Sequence, residues 1–320
     1  MGSRLTLTVP ADFLLKRDAC SYGYFLLAPN YWEPESQTFH RTLTLASTPV
    51  RVSITQPKPR RGEPLVVRAS RTLTQRERAD AEHQIARMLR LDEDHATMRE
   101  FHRVDPRWRK SGRGRLFRSP SLFEDVIKTV TSCNVQWPST VVMNLRLCEV
   151  IGKPCNPEHA FPTPAQLAKT RAATLRARCR TGYRDARIVE LARLFTSKRD
   201  LDVDALEDPA TPDDVVRERL IELPGIGPYA AANIMQLMGR YSTLPLDTES
   251  IRHAKTVLGM KGPDRAILKR LHDHYTPFGT HAFRSYWFEL WEFYEAKRGP
   301  AWTWARETTG RTFTAAQLKT

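Results

Sequence analysis

From residue 1 to residue 74, apolar and polar side chains alternate along the chain or apolar residues run together. These segments are rich in Val, Leu, Thr and Tyr, and turn-forming residues such as Pro and Asn separate them. A period of two residues bounded by such turns is typical of β-strands. The predicted strands are RLTLTV, YGYFLLA, FHRTLTLA, VRVSIT and PLVVRAS. Because the connections are short, we expect them to pair as an antiparallel sheet.

From Thr74 onward, the apolar residues recur at the spacing of an α-helix. Thr74 and Glu77 form a capping box, which predicts a helix running to about Leu91. Ser119 and Pro120 are interpreted as the N-cap and first residue of the next helix, which presents an apolar face. Further helices are predicted at about 137–152, 184–197, 215–223, 229–239, 248–258, 263–274 and 282–297.

This change of period divides the chain into three parts. Residues 1–74 are predicted to form a small antiparallel β domain, and residues 75–299 a helical core. Residues 300–320 form a C-terminal tail without a clear pattern. The predicted fold class is therefore α+β.

The charge balance favours a polyanionic partner. The chain has 50 Lys and Arg against 36 Asp and Glu, a net charge of +14. Residues 103–118 hold seven basic residues against Asp105 alone, and residues 169–187 hold seven against Asp185 alone. Two such runs would suit the walls of a nucleic-acid groove, because each neutralised phosphate releases counterions. The alternative for either run is a solvated charged face.

Cysteine usage and hydropathy exclude other classes. None of the five cysteines forms a CxxC pair, which argues against an iron-sulfur cluster or a zinc knuckle. Their odd number, together with a start that lacks the pattern of a signal peptide, indicates reduced thiols inside a cell. We expect the cytoplasm and nucleoid, or the nucleus of a eukaryote. No run of 18 apolar residues is present, so we expect no membrane span.

A glycine-rich turn joins two of the predicted helices. Leu223 is followed by Pro224, which ends the first helix, and then by Gly225 and Gly227. The glycines permit a positive φ and leave the backbone open to another chain, and the second helix begins with unpaired amides that suit a phosphate. An ordinary tight connection between helices is the alternative interpretation.

An aspartate stands at the start of the next helix. Asp247 lies twenty residues after Gly227, one helix and a short loop away. As an isolated residue it would be interpreted as a helix N-cap. An N-cap role is compatible with a role in catalysis, because a capping carboxylate is held rigidly and stays ionised.

The run LPGIGPYAAANIMQLM followed by LPLDTESIRHA resembles the helix-hairpin-helix DNA glycosylases with the Gly/Pro-Asp signature (HhH-GPD). Segments in 91–101, 119–134, 182–184 and 277–286 resemble the branch of 3-methyladenine glycosylase II and 8-oxoguanine glycosylase. The resemblance covers about residues 74–297. It implies a helical core of two lobes, with the hairpin at 221–229.

The resemblance also implies roles for Asp247 and for the hairpin residues. Asp247 would be the catalytic carboxylate, and Gly225, Ile226 and Gly227 would bind the DNA backbone. In some relatives the hairpin carbonyls hold a monovalent cation. The corresponding residues for a structural Na⁺ or K⁺ are Ile221, Leu223 and Ile226. No other cofactor is expected.

Four further positions follow from the same resemblance. Asn134 would fill the gap left by an extruded nucleotide, and Arg184 would contact the orphaned partner base. Tyr229 and Trp291 would shape the base pocket, where an electron-rich ring stacks well on a cationic alkylated base.

Position 229 also bears on the chemistry. Members of this family that cleave the strand carry a lysine there, whose amine attacks C1′. A phenol cannot form an imine, and no lysine occurs between Leu223 and Asp247. Within this resemblance, Tyr229 therefore predicts a monofunctional glycosylase. We expect its partner to be double-stranded DNA that contains a damaged base, and we expect the protein to act as a monomer.

The lesion stays open at this stage, with an alkylated purine as the first choice. A uracil or mismatched-thymine glycosylase is the nearest rival, because tyrosine occupies this position in some of those enzymes. An 8-oxoguanine activity is disfavoured by the missing lysine. A non-catalytic hairpin protein that only binds DNA is the alternative from another class, and Asp247 argues against it.

Overall fold

The computed structural model describes residues 2–197 and 199–306, and its α+β fold confirms the predicted class. The N-terminal part contains a five-stranded antiparallel sheet in the order β1-β5-β4-β3-β2. Its strands are Arg4–Leu7 (β1), Asn30–Glu33 (β2), Thr38–Leu45 (β3), Thr48–Thr55 (β4) and Leu65–Ala69 (β5). A small second sheet pairs Pro154–Cys155 (β6) with Glu158–His159 (β7).

The side chains of β4 show why this part forms a sheet. Val50, Val52 and Ile54 are fully buried, and the residues between them are partly exposed. This alternation places one face of the strand on the core and the other toward solvent. In the register of the β3–β4 pair, Val50 lies opposite Leu43 and Ile54 opposite Phe39, so both strands bury the same face.

The strand predicted over YGYFLLA is wrong. Gly23–Leu26 forms a 3₁₀ helix, preceded by the short helix Leu15–Ala19 (α1). Every side chain from Tyr22 to Leu27 is buried. The segment runs through the interior between the sheet and the helices, so its continuous apolar pattern reflects burial on all sides rather than a two-sided strand.

The remaining described chain is mostly helical. The helices are Gln75–Leu89 (α2), His95–Val104 (α3), Leu122–Ser132 (α4), Trp137–Ile151 (α5), Pro164–Ala168 (α6), Ala172–Cys179 (α7), Asp185–Thr196 (α8), Val203–Glu207 (α9), Asp213–Ile221 (α10), Pro228–Met238 (α11), Thr248–Thr256 (α12), Asp264–Tyr275 (α13) and Ala282–Arg298 (α14). None of those in the described part of the chain combines the length and apolarity that crossing a bilayer requires.

Capping residues set the helix starts. The capping box of Thr74 and Glu77 is present at the start of α2, as predicted. The N-cap of α4 is Ser121 rather than the predicted Ser119. Ser119 is buried, and its amide donates to Asp125 Oδ1 at 2.8 Å, so the chain is still extended there and the helix begins two residues later.

Two hydrophobic cores organise the molecule. One contains α4, α8, α10 and the first part of α11. The other joins the sheet to α2 and α14, with Val52, Ile85 and Phe288 among its members. This second core crosses position 74, and the predicted boundaries at 74 and 299 stay a prediction about domain organisation. Of the predicted tail, residues 307–320 lie outside the described residues, whereas Trp304 packs against Trp291 with ring centroids 5.2 Å apart.

Candidate active site

The hairpin between α10 and α11 is built as the glycines suggest. Leu223 and Ile226 are buried in the helical core, and the Ile226 amide donates to the Leu223 carbonyl at 3.0 Å. Between them Gly225 has φ +77°, a left-handed conformation that L side chains rarely adopt. Two buried anchors and one left-handed glycine thus fix the turn.

The outer face of the hairpin is open. Gly225, Gly227 and Pro228 are exposed, and a Cβ built on Gly227 would meet no atom within 4 Å. Gly227 is the N-cap of α11, and Pro228 is its first residue. The first amides and the positive end of the helix dipole therefore lie at an accessible surface, as an anion-binding site requires.

Asp247 is the N-cap of α12, and its carboxylate is fixed by hydrogen bonds. Oδ1 accepts from the backbone amides of Glu249 and Ser250, both at 3.0 Å, and from Ser250 Oγ at 3.2 Å. Ser250 Oγ in turn lies 2.8 Å from the Tyr286 hydroxyl. The side chain is half-buried, so it is held in one orientation and still reaches the surface of a cavity.

The surroundings of Asp247 alter its acidity. Burial raises its pKa above the usual value, and the charge of Glu249 adds to that rise. Hydrogen bonds from Ser250 and from Tyr229 oppose it. The pKa of Tyr229 is raised well above its usual value by burial and by the charge of Asp247, so this phenol stays neutral beside the carboxylate.

A cavity of about 330 Å³ lies beside Asp247. Nine of the 21 residues that line it are aromatic, and five parts of the chain contribute to it: the 3₁₀ segment near the N-terminus, the starts of α5, α11 and α12, and α14. The rings that matter here are Tyr22, Tyr24, Trp137, Tyr229, Trp287 and Trp291. Because Tyr229 is the second residue of α11, the cavity is connected directly to the hairpin.

Solved structures with the same arrangement of elements are DNA glycosylases. The 8-oxoguanine glycosylase/lyase of Clostridium acetobutylicum, in complex with double-stranded DNA containing cytosine opposite 8-oxoG, aligns with a TM-score of 0.66 and 18% identity over 92% of this chain and 98% of its own. The 3-methyladenine DNA glycosylase of Archaeoglobus fulgidus aligns with a TM-score of 0.63 and 18% identity over 91% of this chain and 98% of its own. A third, MBOgg1 in complex with a low affinity DNA ligand, aligns with a TM-score of 0.67 and 19% identity over 91% of this chain and 96% of its own.

This chain has the DNA glycosylase fold. The alignments include the N-terminal sheet as well as the helices, because they cover about nine tenths of the chain. No protein-family model matches the sequence, and no curated protein matches it either. At this level of identity the likeness concerns the fold alone.

Within this DNA glycosylase fold, both predicted pocket residues, Tyr229 and Trp291, line the cavity. Trp291 is less exposed there than its neighbour Trp287. Trp291 is 3% exposed and stacks behind Trp287, with ring centroids 5.3 Å apart. Trp287 is only half-buried, and its Nε1 donates to the Ser21 carbonyl at 2.8 Å. Trp287 is therefore better placed than Trp291 to contact a ligand.

Sequence reasoning missed several residues of the cavity wall. Tyr22 and Tyr24 come from the segment that was predicted as a strand, and Tyr22 donates to Asn233 Oδ1 at 2.9 Å. Trp137 was noted only as a helix start. The available signal was the density of aromatic residues in SYGYF and SYWFELWEFY, which exceeds the needs of ordinary packing.

The structure brings Asn134 to the edge of the cavity. Asn134 is exposed, has φ +53°, and directly precedes the cavity-lining residues Val135 and Gln136. Arg184 is placed differently: it is buried, and its guanidinium donates to the carbonyls of Val130 and Cys133. Arg184 thus supports the loop that carries Asn134, and contact with a base would require it to leave those carbonyls.

The residue before Arg184 is the one that reaches solvent. Tyr183 is 53% exposed, and the guanidinium groups of Arg184 and Arg187 lie 4.3 and 5.4 Å from its ring centroid. The Arg187 side chain also borders Gly225 of the hairpin. An exposed aromatic ring next to two cations is suited to contact a nucleic acid.

The two basic runs have different environments. In the run 103–118, four arginines form ion pairs within the molecule: Arg107 with Asp105 and Glu289, Arg113 with Glu295, Arg115 with Asp12, and Arg118 with Asp92. In the run 169–187, every basic residue except Arg184 is exposed. Only the second run, which ends beside the hairpin, forms a largely accessible basic surface.

The predicted cation position stays a prediction. Of its three carbonyls, that of Leu223 accepts the Ile226 amide within the turn. Over residues 2–197 and 199–306 there is no cluster of three His, Cys, Asp or Glu side chains that could hold a metal ion.

Proposed function

We propose that this chain is a monofunctional DNA glycosylase, which extrudes a damaged base into the aromatic cavity and hydrolyses its N-glycosidic bond. The observation that carries the proposal is the position of Asp247. Its rigid carboxylate lines the cavity, and the open hairpin lies one helix away. A negative charge at this place stabilises the oxocarbenium-like sugar that forms as the base departs.

DNA binding is supported by the accessible surface around the hairpin. The amides at the start of α11 suit a backbone phosphate, and the exposed basic run 169–187 suits further phosphates. Asn134 and Tyr183 are exposed on loops at or next to these elements, where they could occupy the space of an extruded nucleotide and its partner. Two of the similar structures are described as complexes with DNA.

Base extrusion is required because C1′ is inaccessible within the stack. A cavity of about 330 Å³ is at the lower end of ordinary ligand pockets, which suits a single base better than a larger ligand. Its aromatic walls allow stacking on either face of the base.

The absence of strand cleavage is supported by the side chains at the site. Tyr229 occupies the start of α11, where an amine would be needed to attack C1′. Among the described residues that line the cavity, none is lysine. Water is then the nucleophile, and the product is an intact abasic site.

An alkylated purine fits these walls best. Alkylation makes the base cationic, and a cation is attracted to the faces of Trp and Tyr rings and to the carboxylate of Asp247. A cationic base is also a good leaving group, so the site needs no strong general acid.

Mass spectrometry of the bases released from methylated DNA tests this proposal. We expect free methylated purines, an alkali-labile site at each, and no covalent trapping of the wild-type protein by borohydride. Release of uracil, thymine or 8-oxoguanine from a panel of duplexes, with no release of methylated purines, would overturn the proposed substrate class. Covalent trapping of the wild-type protein would overturn the monofunctional mechanism.

A further inference from the structure

A second carboxylate faces the same cavity. Glu249 lies two residues after Asp247, in the first turn of α12, and both side chains line the cavity. Glu249 is half-buried, so burying its charge without partners would be costly. Its role is not explained by the need to stabilise the sugar, which Asp247 alone can meet.

Two partners fix the Glu249 carboxylate. Arg252 Nε lies 2.8 Å from Oε1 and 2.9 Å from Oε2, and Arg252 Nη2 lies 2.5 Å from Oε1. The Tyr294 hydroxyl also donates to Oε1. Arg252 in turn has its guanidinium over the Phe293 ring, 4.4 Å from the centroid. The carboxylate is thus held on one side by a cation that packs on an aromatic ring.

The hydrogen bonds to Glu249 are distributed unevenly over its two oxygens. Three of the four bonds reach Oε1 and one reaches Oε2, so Oε2 of this cavity-lining residue keeps acceptor capacity. A fixed anionic acceptor favours a ligand that is positively charged or donates N–H groups, and it repels a ligand edge that carries only carbonyl oxygens.

We propose that Glu249 is a specificity-determining residue, whose carboxylate contacts the extruded base and selects cationic purines over neutral ones. The inference rests on the proposed glycosylase function and adds to it the residue that discriminates among bases. Arg252 acts as a positioning residue, because it orients Glu249 and does not line the cavity, whereas Tyr294 both donates to Glu249 and lines the cavity.

The test compares two lesions in the same duplex sequence, 7-methylguanine as the cationic purine and hypoxanthine as the neutral one. Single-turnover rates are measured for the wild-type protein and for Glu249→Gln, which keeps the size of the side chain. We expect the variant to lose about tenfold in rate on 7-methylguanine, the loss of one charge-assisted contact, and less than about twofold on hypoxanthine.

The ratio of the two rates separates this role from an effect on Asp247. A change in the ionisation of Asp247 would alter both rates alike. An equal fold loss on both lesions, which leaves the ratio unchanged, would therefore overturn the proposal. If the wild-type protein released neither base, this inference would fail, whereas the proposed function is decided separately by the bases released from methylated DNA.

Two further variants keep the result interpretable. Glu292→Gln removes the same charge from an exposed position on α14, and we expect it to leave the ratio unchanged. Tyr294→Phe removes one bond to Glu249 and should lower the ratio in the same direction but less. Thermal unfolding of each variant checks that the fold is retained. A ratio that Glu292→Gln alters as much as Glu249→Gln would indicate a general charge effect and overturn the assignment.

Discussion

At the scale of single residues, Asp247 was predictable because two local constraints coincide there. The distance from Gly227 to Asp247 is one helix and one loop, and the carboxylate caps the next helix. Both features are local in sequence. Its acidity depends only partly on such local partners, Glu249 and Ser250, because its burial and the nearby Tyr229 hydroxyl come from parts of the chain that are distant in sequence.

The pH dependence of base release should report this environment. In the proposed mechanism Asp247 acts only when ionised, and its pKa in the folded protein is raised above the usual 3.8 by burial. We therefore expect the rate to fall as the pH drops through a value above 3.8, while the protein remains folded by circular dichroism. An acid limb at or below 3.8 would contradict the proposed environment.

Tyr229 offers a second test at the residue scale. Tyr229→Lys places an amine next to Asp247, where it can attack C1′. We expect this variant, unlike the wild type, to be trapped on lesion DNA by borohydride. Tyr229→Phe is the matched control and should not be trapped. A folded Tyr229→Lys protein that releases base but is never trapped would show that position 229 does not face the sugar.

The base pocket shows the limit of residue-level prediction. Trp287 and Trp291 are four residues apart on α14, so they share one side of the helix. Both line the cavity, and which of the two is more exposed there depends on the packing of α14 against Ser21 and Trp304, which the helical period does not contain.

At the scale of elements, the hairpin was predictable because its geometry is local. Proline, two glycines and two buried anchors specify the turn without reference to distant residues. The segment Gly23–Leu26 was not predictable in the same way. Its continuous apolar run suited a strand equally well, and only contacts distant in sequence, such as that of Tyr22 with Asn233, distinguish the alternatives.

Substitution by alanine should lower the free energy of unfolding more at Gly225 than at Gly227. Gly225→Ala forces a side chain into φ +77°, with its Cβ 2.7 Å from Arg187 Cδ, so we expect a loss of about 1–2 kcal/mol in the free energy of unfolding. Gly227 has φ −97° and no neighbour within 4 Å of a built Cβ. Gly227→Ala meets no steric conflict, and we expect a loss of only about 0.5–1 kcal/mol, because alanine is a poorer N-cap than glycine.

Gly227→Ala should nevertheless weaken DNA binding. The added methyl group projects from the open face where a phosphate must approach the amides of α11. We expect about tenfold weaker binding to duplex DNA by fluorescence anisotropy, the equivalent of about one hydrogen bond to a charged group. Unchanged affinity in this variant would place the DNA elsewhere.

At the scale of the whole molecule, net charge predicted a polyanionic partner but not where it binds. The two basic runs are similar in composition, yet one is largely neutralised by ion pairs and the other is exposed. The difference arises from acidic partners such as Asp12 and Glu295, far away in sequence. A linear count of charges cannot identify such pairs.

Salt dependence of binding tests which run contacts DNA. Arg178 is exposed on α7, and we expect Arg178→Ala to weaken duplex binding and to reduce the slope of log affinity against log salt by about one. Arg265→Ala removes an exposed arginine from α13 and is the matched control, expected to change neither. Equal effects of both variants would indicate that binding follows total charge rather than this surface.

The most direct test of the account is the single-turnover rate of base release by Asp247→Asn on methylated DNA. The amide keeps the size of the side chain and can still accept the bonds from Glu249 and Ser250, so folding and DNA affinity should be retained. We expect the rate to fall by about 10²–10⁴-fold, because the fixed negative charge is lost. A folded variant that binds DNA and releases base at the wild-type rate would contradict the central claim.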